Sequence, residues 1–257
     1  MKNFLTVFFS LLLFPISLIT GCGNQIEKVP PLPGTLPNIL TAPEKVDTDV
    51  YFDATVSMKG FTTLAAGNVY IALDISPSGY NPSACKPYDK EKAYDLYSKI
   101  INAGKEGTDL IFIETISIIE DIETLCEAAK DNCELPIFAS MTFTGKQNTW
   151  FGYPLDNWIS RSNDLPIDAV GMNCSLTPTE MYPLAGKLVK GSNKPVFVKP
   201  NRGQPEKEDN KSVYKLSADQ FAEDMLKFRD LGIHIMGGCC GTDHECISKM
   251  KILLNQN

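Results

Sequence analysis

From Asn68 onward, short apolar runs of strand length alternate with segments of helical spacing, and this alternation most restricts the fold. The runs are Val69–Ile75, Leu110–Ile113, Pro136–Phe143, Ala169–Met172, Val196–Val198 and Ile233–Met236. Between and after them lie Glu91–Ala103, Ile118–Lys130, Leu155–Ser162, Thr179–Lys190, Ala218–Leu231 and Asp243–Leu254. In the fifth of these, Phe221, Met225 and Phe228 share one face and Ser217 stands where an N-cap is needed. Strands that read as continuous apolar runs imply a parallel sheet buried on both faces by helices. The predicted class is α/β, and about six recognisable βα units suit a (β/α)-type barrel or an open doubly wound sheet.

The polar residues sit at or just past the ends of the runs: Asp74, Glu114, Thr142, Asn173, Cys174, Asn201, Cys239 and Cys240. In parallel α/β folds that edge is where chemistry is done. Cys239 and Cys240 are adjacent within Gly237-Gly238-Cys239-Cys240-Gly241-Thr242. A disulfide between neighbours is strained, so both thiols are free for another use. Cys174, in Gly171-Met172-Asn173-Cys174, ends another strand. Three thiolates at strand ends suit zinc with an open fourth position, the arrangement catalytic zinc requires. The net charge of -7, without a basic stripe, excludes nucleic acid as the main partner.

The N-terminal region is of a different kind. Lys2 precedes an apolar stretch that ends in Leu18-Ile19-Thr20-Gly21-Cys22, a pattern resembling a bacterial lipobox. Residues 1–22 are therefore expected to be a lipoprotein signal peptide lipidated at Cys22. Residues 23–49, with Pro30, Pro31, Pro33, Pro37 and Pro43, read as a tether. The expected location is the cell membrane, lipid-anchored and exported, or the cytoplasm if the leader is a fusion artefact. Of the eight cysteines, Cys85, Cys126, Cys133 and Cys246 remain; most are expected to be free, with a Cys126–Cys133 bridge the one alternative.

Residues 67–257 resemble the homocysteine S-methyltransferase (homocysteine-binding) domain family. That domain is the N-terminal module of cobalamin-dependent methionine synthases and is also found in betaine-homocysteine methyltransferases. The motifs run in family order: Asp74-Ile75-Ser76-Pro77-Ser78-Gly79, Asp109-Leu110-Ile111-Phe112-Ile113-Glu114-Thr115, Gly171-Met172-Asn173-Cys174, Lys199-Pro200-Asn201-Arg202-Gly203 and the Gly237–Thr242 run. The resemblance implies a (β/α)8 TIM-barrel type that is incomplete here, since the first two family strands have no counterpart. It implies Zn2+ on Cys174, Cys239 and Cys240. It places Glu114 beside the amino-acid end of homocysteine, with Asn173, Asn201 and Asp74 around the substrate. The implied reaction is methyl transfer to the homocysteine thiol, giving methionine. The expected methyl donor is a small methylated sulfonium or betaine, or a corrinoid protein, and Tyr214, Trp150 and Trp158 are the aromatic candidates for a cationic-methyl pocket.

Residues 50–66 resemble the opening strand of a von Willebrand factor A domain, with Asp53, Thr55 and Ser57 at the spacing of its metal motif. Two other functions stay open at this point. One is a non-catalytic surface lipoprotein that binds zinc or thiol amino acids. The other is an inactive fusion product with a truncated barrel.

Overall fold

The computed structural model describes residues 70–80, 82, 87–208, 211–233 and 235–256. The leader, the tether, residues 50–66 with Asp53, Thr55 and Ser57, and also Cys22, Cys85 and His234 lie outside the described residues.

The order of elements is β1 (Ala72–Ile75), α1 (Lys90–Gly104), β2 (Leu110–Ile116), α2 (Ile119–Asn132), β3 (Ile137–Met141), α3 (Leu155–Asp164), β4 (Ala169–Asn173), α4 (Pro178–Gly191) and β5 (Val196–Lys199). A hairpin follows, β6 (Pro205–Glu208) and β7 (Lys211–Tyr214). Then come α5 (Ala218–Leu226), which tightens into a 3-10 turn over Lys227–Leu231, β8 (Ile235–Met236) and α6 (His244–Gln256). All six apolar runs are strands, in one parallel sheet of order β1-β2-β3-β4-β5-β8.

Local chemistry sets the boundaries. Ser217 accepts a hydrogen bond from the Gln220 amide, as its N-cap position requires, and Thr177 with Glu180 forms a capping box at α4. Asp109 and Asp168, each just before a strand, accept an amide at the start of the preceding strand, Ile71 N–H (one residue before β1) at 2.7 Å and Ile137 N–H at 2.8 Å. The hairpin β6–β7 was not expected. Its first strand, Pro-Glu-Lys-Glu, is exposed throughout and has no apolar alternation to mark it.

The sheet curls strongly. Phe112 on β2 and Phe197 on β5 are three strands apart, about 14 Å in a flat sheet, yet their ring centroids lie 5.0 Å apart. Phe138 on β3 joins them at 6.3 and 6.0 Å. The six strands thus wrap around an aromatic interior as an incomplete (β/α) barrel, while the helices cover the outer face over a larger aliphatic core.

This curl depends on small residues in β4. A methyl group built on Gly171 would lie 2.5 Å from the buried Phe197 ring. Gly171→Ala is therefore expected to lower stability by about 1–3 kcal/mol through overpacking. Urea unfolding measures it, and a midpoint equal to that of the wild type would contradict this account of the curl. Among the described residues, no helix is long and apolar enough to cross a membrane.

Candidate active site

Alternation along the strands puts every second side chain inside the curl. One layer above the aromatic rings, at the C-terminal strand ends, these are Asp74, Glu114, Ser140, Asn173 and Lys199. Asp74 is exposed at the rim, and the other four are buried. A polar layer closed below by phenylalanines and open above is a place to hold the polar end of a small molecule.

Three cysteines stand beside this layer. The Sγ atoms of Cys174, Cys239 and Cys240 all lie within 4.8 Å of one another, and Cys174 and Cys240 are 3.5 Å apart. Tetrahedral coordination with metal–sulfur bonds near 2.3 Å places sulfurs about 3.8 Å apart, so the cluster fits one metal ion. Its electrostatics also call for a cation. Sulfur hydrogen bonds from Cys174 and Cys239 hold Cys240 down at about 3. Cys174 is pushed far up by its hydrogen bonds to Cys239 and Cys240 and by burial. Cys239 lies at about 11, because the neighbouring Cys240 and burial outweigh the lowering hydrogen bond with Cys174. Three sulfurs packed this closely repel one another when ionised, and a cation between them relieves that repulsion.

The backbone around the sulfurs is held from the loop after β5. Asn201 Oδ1 accepts the Cys240 amide at 3.1 Å, the Pro200 carbonyl accepts the Cys239 amide at 2.9 Å, and Arg202 N–H donates to the Cys240 carbonyl at 2.9 Å. Arg202 also pairs with Asp243 at 2.6 Å. Just after β4, Cys174 and Ser175 are both left-handed, with φ 62° and 56°, and the Cys174 amide donates to the Lys199 carbonyl at 2.9 Å. Gly241 is left-handed as well (φ 81°), and a side chain there would run into the Tyr214 ring at 2.3 Å. The hairpin thereby lays Tyr214 against the sulfur cluster. Burial, and then the charge on Cys240, push its hydroxyl up to about 12 and keep it a donor.

Asn173 has a structural task. Its Oδ1 accepts from Thr115 N–H at 2.9 Å and Ser140 Oγ at 2.8 Å, and its Nδ2 donates to Thr115 Oγ1 at 2.8 Å. Thr115 is left-handed, at φ 63°, within an irregularity of β2 between Ile113 and Ile116. That conformation is strained for a β-branched residue, and the Asn173 side chain holds it in place. Glu114 lies within this irregularity. Glu114 is 0% exposed and forms an ion pair with Lys199 through Oε2, while its Oε1 is buried without a partner.

Cys174, Cys239 and Cys240 lie together, with Asn173 and Asn201 in hydrogen-bond contact with the pair Cys239 and Cys240, Glu114 in the adjoining layer and Asp74 at its rim. The sequence reading missed Lys199. The available signal was a lysine two residues after Phe197, on the same face of an otherwise apolar strand. Of the aromatic candidates, Tyr214 reaches the cluster and Trp150 is 73% exposed. Trp158 is not in the pocket; it is buried in α3 and donates its indole N–H to the Gly171 carbonyl at 3.1 Å. Cys126 and Cys133 are both free.

The sequence profile of homocysteine S-methyltransferase matches residues 49–254. Homocysteine S-methyltransferase 4 of Zea mays is 31% identical over 180 residues, which is 67% of this chain and 52% of that protein. Methionine synthase of Mycobacterium leprae is 28% identical over 153 residues, 56% of this chain and 12% of that protein. The chain thus spans about half the length of the maize relative and a small part of the synthase. Homocysteine methyltransferase MmuM from Escherichia coli has the same fold, with a TM-score of 0.58 and 22% identity over 72% of this chain and 64% of that one in its apo form. Its metallated form aligns with a TM-score of 0.59 and 20% identity, over 73% of this chain and 62% of that one. The chain belongs to the homocysteine S-methyltransferase family.

Proposed function

We propose that the chain transfers a methyl group to the thiol of homocysteine, giving methionine, at a zinc ion held by Cys174, Cys239 and Cys240. The convergence of three sulfurs at the C-terminal sheet edge carries the reading. Soft thiolate donors favour zinc over magnesium or calcium, and three protein ligands leave a fourth position for substrate. A bound zinc ion lowers the pKa of a coordinated thiol and keeps it nucleophilic at neutral pH.

The chain's own residues do the rest. Asn201 and the loop after β5 fix the direction of the sulfurs. Glu114 takes the α-ammonium on its unpartnered Oε1, and Asn173 holds the strand irregularity that aims Glu114 inward. The homocysteine sulfur attacks the methyl carbon, and the carbon–donor bond breaks with its electron pair leaving on the donor. The donor is a methylated sulfonium or betaine, or the methyl group of a corrinoid protein.

X-ray absorption on the zinc-loaded full chain tests this directly. Three sulfur ligands should become four when homocysteine is added, and methionine should form with a methyl donor. A zinc shell that ignores homocysteine would refute the reading, while a fourth sulfur without methionine would leave a thiol-binding protein. Lipid anchoring at Cys22 and export rest on the leader sequence alone. Mass spectrometry of the mature N-terminus decides that part, and an unmodified Met1 would overturn it.

A further inference from the structure

Lys199 is 2% exposed, at the lumen end of β5. A buried lysine is costly unless its charge is met. Here it is met on several sides: Glu114 Oε2 pairs with Nζ, and the Phe112 ring lies beneath, with its centroid 4.6 Å away. Burial alone favours the neutral amine. The charges of Glu114 and Asp74 outweigh it and raise the pKa of Lys199 above its ordinary value. The cation is therefore a permanent part of the polar layer.

Two details give it a task. Lys199 engages one oxygen of Glu114 and leaves the other, Oε1, buried and without a partner. An orphaned carboxylate oxygen in a dry site costs free energy until a donor reaches it. The second detail is the main chain, since the Lys199 carbonyl accepts the Cys174 amide. One residue thus ties the sulfur cluster to the carboxylate across the lumen.

We propose that Lys199 is a specificity-determining positioning residue, which holds Glu114 so that its free Oε1 selects thiols carrying an α-ammonium group over thiols lacking one. This rests on the proposed homocysteine function and deepens it. Without Lys199, Glu114 keeps its place on β2 but loses the partner that sets its rotamer and its charge. Selection for the amine then fails, while thiol capture at the cysteines persists.

The test compares homocysteine with 4-mercaptobutanoate, the same thiol acid without the amino group. Binding to the cobalt-substituted full chain is followed by the thiolate-to-cobalt absorption, which needs no turnover. The wild type should prefer homocysteine. In Lys199→Met that preference should fall by about tenfold or more through loss of homocysteine affinity, with 4-mercaptobutanoate little changed. Lys199→Gln, which can still donate to Glu114, should fall between the two and serves if the Met variant does not fold.

An unchanged preference in either variant overturns the proposal, as does an equal loss for both thiols, the mark of a merely structural lysine. A wild type that binds both thiols equally also overturns it, yet leaves the metal–thiol reading standing. A wild type that binds neither defeats that reading itself.

Discussion

Cys240→Ala is expected to leave the purified chain nearly free of zinc and unable to bind homocysteine. Catalytic zinc is held by three protein ligands, and losing one leaves two sulfurs, too few to keep the ion against buffer and water. Zinc affinities of thiolate sites correspond to about 10–16 kcal/mol. A loss of even about 4 kcal/mol lowers affinity roughly a thousandfold. Cys240 is the most consequential choice because its Sγ lies 3.5 Å from that of Cys174 and its amide is fixed by Asn201. Removing it takes away one of the three converging sulfurs.

The controls are internal. Cys126 and Cys246 are buried thiols away from the cluster, raised by burial to about 12 and about 11. Alanine at either should leave the zinc content unchanged. Metal analysis after dialysis measures all of these, and affinity should fall as the pH is lowered because the thiols must lose protons to bind. Full zinc retention by Cys240→Ala, or equal loss in Cys126→Ala, would remove the cluster from the argument.

The division between what could be read and what could not follows from the kind of signal each feature leaves. The strands were legible because a parallel strand buried on both faces has to be apolar throughout. The cysteines were legible because their glycine frame is unusual: Gly241 admits the Tyr214 ring, and Gly171 admits Phe197. The hairpin was not legible, since its first strand is wholly exposed and nothing in its composition distinguishes it from a charged loop. The role of Asn173 was hidden for another reason. Its partners Thr115 and Ser140 come from two other strands, and only the curl of the sheet brings them together. Lys199 was obscured by its position beside Pro200, where a strand-end lysine reads as solvated. Its charge is buried because β2 and β5 meet across the lumen, a three-dimensional fact without a local signature.

That buried pair supports the second large effect. Glu114→Leu is expected to destabilise the chain by about 3–5 kcal/mol, because it strands the Lys199 cation in the interior. Lys199→Met should cost a comparable amount by stranding the carboxylate. The double variant Glu114→Leu/Lys199→Met should recover most of the loss, since replacing both charges by apolar groups leaves nothing unpaired.

The pH dependence distinguishes this from simple mispacking. In the wild type Lys199 has a raised pKa. Its contribution is therefore complete below the ordinary lysine value and is lost as the pH climbs through the raised one. In Glu114→Leu the strongest attraction is gone and burial dominates, so the folded-state value drops below that of the unfolded chain. Between the two values the unfolded state binds more protons, and stability rises with pH. The deficit of Glu114→Leu against the wild type should therefore shrink as the pH rises toward the ordinary lysine value. Urea unfolding across that range measures it. A constant deficit, or a double variant no more stable than the worse single one, would show that the pair is not what holds this part of the barrel together.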